Sequence, residues 1–191
     1  MLWPAILFLI SISSGCGVQI FNGCNQSIYR ATAVDPDNLS GTTLSVTDGM
    51  ILEGEILPGD WYSEPYWDLA YGGVSIKLGR GSSGPITQLE YTVFDSGSTL
   101  SYDISNVNCG PEHGLGDCPF VANGIHLESN DSSCEPITCQ PGVVICEDVY
   151  NYWDDDRRFP VVKGCGIQSQ NLALYLCQTS SLGEYDSAGN F

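Results

Sequence analysis

A mainly β fold, a sandwich or barrel of short strands, is the class this sequence predicts. Three observations predict it. Stretches of alternating apolar and polar residues recur along the chain, each bounded by Gly, Pro, Asn, Asp or Ser. One stretch alone, 141–153, carries a helical pattern. Nine cysteines stand among 191 residues, and seven of them fall between 109 and 177, so the C-terminal half reads as stapled loops beside a β-rich body.

The elements follow in order. Residues 2–12, LWPAILFLISI, form an apolar run followed by the small residues of SSGCG, the pattern of a secretory signal peptide over 1–17. Eleven residues are too few to cross a bilayer as a helix. One domain, 18–177, is expected beyond it. GVQIFNG (17–23) and QSIYRATAV (26–34) read as the first strands. GTTLSVTDG (41–49) and MILEGEILPGDWYSEPY (50–66) hold short strands broken by Gly and Pro, and GGVSIKLGR (72–80) alternates again. NLALYLC (171–177) is a closing strand, and 178–191 is expected to be a disordered tail.

The most informative stretch is ITQLEYTVFDSGSTLSYDIS, residues 86–105. Leu89, Tyr91 and Val93 alternate with Glu90 and Thr92. Leu100, Tyr102 and Ile104 alternate with Ser101 and Asp103. Asp95-Ser96-Gly97-Ser98 is turn chemistry. A four-residue loop sets Phe94 opposite Thr99, Thr92 opposite Ser101 and Glu90 opposite Asp103. Like charges so placed are destabilising unless something offsets them, which is a feature of sites. The plainer reading is a pair of exposed strand acids that splay apart.

Cysteine usage fixes the compartment. Cleavage after Gly17 removes Cys16 and leaves eight cysteines, an even number that implies four disulfides in an exported chain. A zinc site is disfavoured, because no CxxC pair exists and His113 and His126 have no cysteine at ligand spacing. Both histidines are expected on the surface or in loops. The formal net charge of −17 excludes nucleic acid and anionic membrane surfaces as partners, while a neutral polysaccharide or a cationic partner remains compatible. Asn25, Asn38 and Asn130 each open an N-glycosylation sequon. No catalytic triad, phosphate-binding loop or cofactor motif is present, and no cofactor or metal is expected. The aromatic stretch 61–73 either lines a glycan groove or packs beneath loops. DDDRRF (154–159) either binds Ca²⁺ or is a solvated loop with local Asp–Arg pairing.

Several stretches, taken in order, resemble the thaumatin-like superfamily. VQIFNGC resembles its opening strand, TQLEYTV its Thr-Leu-Ala-Glu-Phe strand and SYDISNVN its Tyr-Asp-Val-Ser-x-Val-Asp strand. CEDVYNYWDDD is similar to its Cys-Pro-Asp-Ala-Tyr-Ser-Tyr segment followed by paired Asp, and LALYLC to its last strand. WYSEPY followed by GGVSIKL more narrowly resembles the compact fungal secreted branch of Bys1-domain, yeast-phase-specific proteins.

The resemblance implies a β-sandwich, disulfide-rich loops beside it and an acidic cleft between them that binds β-1,3-glucan, with weak hydrolysis in some members. Glu90 matches the family Glu and Asp103 its first Asp. Asp154 or Asp155 matches the late Asp. Asn108 stands where the family has a second Asp. Either Lys77 or Arg80 serves as the cleft cation, and strand parity puts them on opposite faces. A retaining glycosidase holds its carboxyl pair about 5–5.5 Å apart, so Glu90 and Asp103 are the catalytic pair if the protein is an enzyme, with mutual repulsion raising one pKa. Binding is favoured over hydrolysis, because Asn108 leaves the acid set incomplete. A secreted effector or hydrolase inhibitor that acts by protein contact is the alternative. The resemblance also implies the pairs Cys24–Cys177 and Cys118–Cys134, with either Cys109–Cys165 and Cys139–Cys146 or the exchange Cys109–Cys146 and Cys139–Cys165. The first of those is preferred. An extracellular or cell-wall-associated monomer is expected.

Overall fold

A computed structural model describes residues 16–34, 50–67, 69, 72–94, 98–109, 114–155, 161–166 and 171–178. The expected signal segment up to residue 15, the strand at 41–49, the Asn38 sequon, His113 and the tail from 179 lie outside the described residues.

Eleven strands form two sheets. In chain order they are β1 (Gly17–Asn22), β2 (Ile28–Val34), β3 (Met50–Ile56), β4 (Trp61–Pro65), β5 (Val74–Gly79), β6 (Ile86–Phe94), β7 (Thr99–Ser105), β8 (Ile125–Ser129), β9 (Ile137–Cys139), β10 (Lys163–Gly166) and β11 (Asn171–Leu176). The five-stranded sheet runs β4-β1-β11-β8-β9 and the six-stranded sheet β10-β7-β6-β5-β2-β3. Only β1 and β11 pair in parallel among the named strands, which brings the first and last described strands together.

Alternation builds the sandwich. Val18 and Ile20 of β1, Leu172, Leu174 and Leu176 of β11, Ile76 and Leu78 of β5 and Leu89 of β6 are fully buried on the facing sides. Burying each such side chain stabilises the fold by about 1.5–3 kcal/mol relative to leaving it exposed. At the end of β1, buried Asn22 makes the crossing between sheets. Its side-chain amide donates to the Ile56 carbonyl at 2.8 Å and the Gln26 carbonyl at 2.9 Å, and its Oδ1 accepts from the Cys24 amide at 2.9 Å. This satisfies backbone groups that the turn would otherwise bury unpaired.

The expected helix at 141–153 does not form. The segment is a series of turns. Pro141 lacks an N–H, Gly142 takes a left-handed φ of 78°, and the Cys139–Cys146 bridge closes the loop too tightly for helical rise. Two 3₁₀ turns, Val107–Cys109 and Leu115–Asp117, follow β7.

Four disulfides are present: Cys24–Cys177, Cys109–Cys118, Cys134–Cys165 and Cys139–Cys146. The first and last were expected. Cys118–Cys134 and Cys109–Cys165 are overturned. Cys109 and Cys118 end the two 3₁₀ turns, and their Cα atoms lie 5.3 Å apart. Cys165 lies on β10 opposite Leu100 of β7. The Tyr102 hydroxyl of β7 donates to the Glu135 carbonyl at 2.6 Å, which holds the Cys134 loop against that same edge. Local chain geometry thus sets one pair and the docking of a loop sets the other. Cys16 remains a free thiol.

Candidate functional site

The hairpin β6–β7 has the register expected from its turn. Phe94 faces Thr99, Thr92 faces Ser101 and Glu90 faces Asp103. The Ser98 amide donates to the Phe94 carbonyl at 3.1 Å and closes the loop. A row of opposed residues crosses four strands on the outer face of the six-stranded sheet: Ala33, Ser75, Glu90 and Asp103. The row beside it reads Glu53, Ala31, Lys77, Gln88 and Ser105. Small residues at Ala33, Gly73 and Ser75 leave this face open above the backbone. That space is a cavity of about 670 Å³ with Glu90 and Asp103 in its floor.

The far wall is the 149–155 loop. Tyr150 bridges Ser105 in parallel, with its amide donating to the Ile104 carbonyl at 2.9 Å and its carbonyl accepting from the Asn106 amide at 2.7 Å. This docks the loop onto the end of β7. Tyr150 and Trp153 then line the cavity with Phe94 and Val162. Trp153 is 75% exposed, an unusual position for so large an apolar surface.

Electrostatics in the floor follow from partial burial. Burial pushes the Glu90 carboxyl above its ordinary range, while Lys77 and hydrogen bonds from the Ser75 and Ser105 hydroxyls oppose that rise. Mutual repulsion with Asp103 was the expected cause, and desolvation is the leading one. The Lys77 ammonium donates to Gln88 Oε1 at 3.1 Å, and the Ser75 hydroxyl donates to the same oxygen at 3.1 Å. Lys77, Gln88 and Ser105 stand in the neighbouring row, outside the cavity lining, and border the one elevated carboxyl with a connected array of donors and acceptors.

Of the expected site residues, Glu90 and Asp103 alone line the cavity, and Lys77, Arg80, Asn108, Asp154 and Asp155 lie outside its lining. Arg80 is at the end of β5, where its guanidinium donates twice to the Pro119 carbonyl, at 3.1 and 2.6 Å. It fastens the 115–124 loop and faces away from Glu90, so Lys77 is the cation of the acidic face. Asn108 is exposed in a 3₁₀ turn outside the cavity. Asp154 is half-buried and is absent from the lining. Asp155 is buried within the loop, and its Oδ2 accepts from the amides of Asn151 at 2.6 Å and Tyr152 at 2.8 Å. Its work is to shape the loop from inside. Of DDDRRF, residues 156–159 lie outside the described residues.

The aromatic stretch packs inward for the most part. The Tyr62 ring lies 3.6 Å beneath the Arg30 guanidinium, the Tyr66 hydroxyl accepts from the Leu172 amide, and the Trp67 amide donates to the Tyr91 hydroxyl. Trp61 caps Phe21 and Tyr175 on the outer face of the other sheet, away from the cavity. His126 is a half-buried β8 residue bonded to Thr138 and Glu128. Asn25 and Asn130 are exposed, and Asn130 Oδ1 accepts from the Asn171 amide at 3.0 Å. Sequence reasoning missed Ser75, Gln88, Tyr150 and Trp153 as site residues. Parity with Lys77 marks Ser75, and parity with Glu90 marks Gln88. Nothing local marks the two aromatics, because a docked loop places them.

Comparison with known proteins places this architecture. The family model described as Blastomyces yeast-phase-specific protein, Bys1, matches residues 18–178. The secreted thaumatin-like protein calA of Emericella nidulans is 31% identical over 140 residues, covering 73% of this chain and 71% of that protein. An antigenic thaumatin-like protein of Arthroderma benhamiae is 30% identical over 161 residues, covering 83% of this chain and 69% of its own length. Among solved structures, the protein elicitor MoHrip2 from Magnaporthe oryzae superposes with a TM-score of 0.61 at 16% identity, over 86% of this chain and all (100%) of that one. The thaumatin-like xylanase inhibitor TLXI superposes at 0.53 with 16% identity, over 84% and 99% of the two chains. These two show the fold. A relative named as secreted, together with four disulfides, makes this an extracellular protein. From a model match that spans nearly the whole described domain, the chain belongs to the Bys1 family, within the thaumatin-like superfamily.

Proposed function

We propose that the protein binds a β-glucan-type polysaccharide in the cavity over Glu90 and Asp103, at the cell wall or outside the cell. The observation that carries this reading is the combination in one cavity of an opposed carboxyl pair and the broadly exposed ring of Trp153. Carboxylates and serine hydroxyls hydrogen-bond sugar hydroxyls. An indole face takes the apolar face of a pyranose. A net charge of −17 is compatible with a neutral chain.

Binding is favoured over hydrolysis. Burial holds Glu90 in the direction a general acid needs, which supports a weak retaining β-1,3-glucanase as an alternative. Yet Asp155 is engaged in the loop and Asn108 lies outside the cavity, so the acid set for catalysis is small. A second reading is a secreted effector or hydrolase inhibitor acting by protein contact. It draws support from structural neighbours named as an elicitor and a xylanase inhibitor.

Retention on insoluble β-1,3-glucan, run beside a reducing-sugar assay, separates these. Retention without released sugar supports the binding reading, and retention with sugar release supports the glucanase. Absence of both rejects the cavity as a glucan site and leaves protein contact.

A further inference from the structure

We propose that the loop closed by Cys139–Cys146 is a docking surface for a protein whose apolar groove is flanked by Lys or Arg. Its tip presents Val143, Val144 and Ile145 with 40, 42 and 53% exposure. Each of these three consecutive aliphatic side chains leaves about half of its surface in water. Such a run at a surface marks contact with another molecule. It is separate from the glucan cavity, whose lining contains none of the three.

The loop is held in shape before any partner arrives. The bridge joins its ends, and the Gly142 amide donates to the Val121 carbonyl at 2.7 Å. Asn151 grips its base, its side chain donating to the Cys146 carbonyl at 2.8 Å and accepting from the Cys146 amide at 3.3 Å. A pre-ordered loop loses little entropy on binding, which is how a small apolar patch gains useful affinity.

Charge selects the occupant. Glu147 and Asp148 follow the tip directly, and Glu135 lies on the same flank, where Lys163 approaches Glu135 at 3.3 Å and Asp148 at 3.8 Å. That one lysine faces two carboxylates, and the whole chain carries −17. A second copy of this chain or an anionic bilayer is repelled, while a basic rim around an apolar groove is attracted.

The test uses a synthetic helical leucine–lysine peptide, with an apolar stripe bordered by lysines, as a stand-in for that chemistry. A leucine–glutamate peptide of the same pattern is the control. Fluorescence anisotropy on the full chain is expected to show binding of the lysine peptide, at least tenfold weaker binding of the glutamate peptide, and at least a tenfold loss in Val144→Asp and in Ile145→Asp. Glu147→Lys is expected to weaken binding about threefold and flatten its salt dependence. Unchanged thermal melting and unchanged glucan retention in the tip variants would localise the loss to the loop. Equal binding of both peptides, no binding of either, or full binding by the tip variants overturns the proposal. So does capture of the wild type by phosphatidylcholine vesicles with the tip variants released, because the loop would then be a lipid anchor.

Discussion

Glu90 and Glu64 show how one residue type takes two roles by position. Glu90 faces the cavity. Glu64 is 4% exposed between the sheets, where Thr32 and Tyr62 hydroxyls donate to its Oε2 at 2.8 and 2.6 Å. Burial raises both carboxyls above the ordinary range despite those hydrogen bonds. An acid whose native pKa is raised binds its proton more tightly folded than unfolded. Its stabilising contribution is complete below the unfolded Glu pKa of about 4.3 and is lost as pH rises through the native value. The melting temperature is therefore expected to be higher at pH 4.5 than at pH 7, and Glu64→Gln and Glu90→Gln are each expected to reduce that difference. Glu90→Gln should also raise stability at pH 7 by about 0.5 kcal/mol while weakening glucan retention, a trade common at binding sites. Thermal melts across pH, paired with the glucan pull-down, check both. A flat pH profile in the wild type would remove the electrostatic account.

At the scale of elements, the 149–155 loop determines whether the sheet face becomes a cavity at all. Asp155 satisfies the buried amide of Asn151 and the partly buried amide of Tyr152 in this loop. Asp155→Ala leaves them without an acceptor, at a cost of about 1–3 kcal/mol. Because the same loop carries Tyr150 and Trp153, glucan retention is expected to fall with stability, whereas Trp153→Ala should lower retention with the melting temperature unchanged. Comparing the two variants separates loop shape from the indole itself. The disulfides divide in the same way. Cys24–Cys177, with a sequence separation of 153, closes nearly the whole domain, and its removal should cost about 4–5 kcal/mol in the chain-entropy description. Cys134–Cys165, with a separation of 31, should cost about 3–4 kcal/mol. Denaturant unfolding of the paired Cys→Ser variants measures both, and peptide mapping should recover Cys109 with Cys118.

At the scale of the whole molecule, charge is the dominant feature. A net −17 opposes compaction through self-repulsion, which salt screens over a Debye length of about 10 Å at 0.1 M. The melting temperature at pH 7 is expected to rise by a few degrees between 10 mM and 500 mM NaCl. Glucan retention, resting in the proposed reading on hydrogen bonds to an uncharged ligand and on stacking, should change little over the same range. A strong salt dependence of retention would mean that a charged ligand is being bound.

Residue patterning alone specifies β1 to β7, β11 and one face of the site, whereas β8, β9 and β10 fall in the segment that reads as stapled loops and form only where it docks. Alternation with period two states which residues of β6 and β7 point inward, and a four-residue loop with turn chemistry leaves one register, so Glu90 opposite Asp103 was legible from residues 86–105 alone. Parity likewise separated Lys77 from Arg80. These are local facts, carried by a few neighbouring residues. Tertiary structure decided everything that depends on where distant loops land. It put Cys134 beside Cys165, turned Asp155 into an internal brace, and brought Tyr150 and Trp153 over the acids. It also dissolved the helical pattern at 141–153, because a disulfide and a left-handed glycine outweigh a periodicity worth only tenths of a kcal/mol per residue. Loop placement depends on contacts between residues far apart in the chain, and no short-range pattern encodes them.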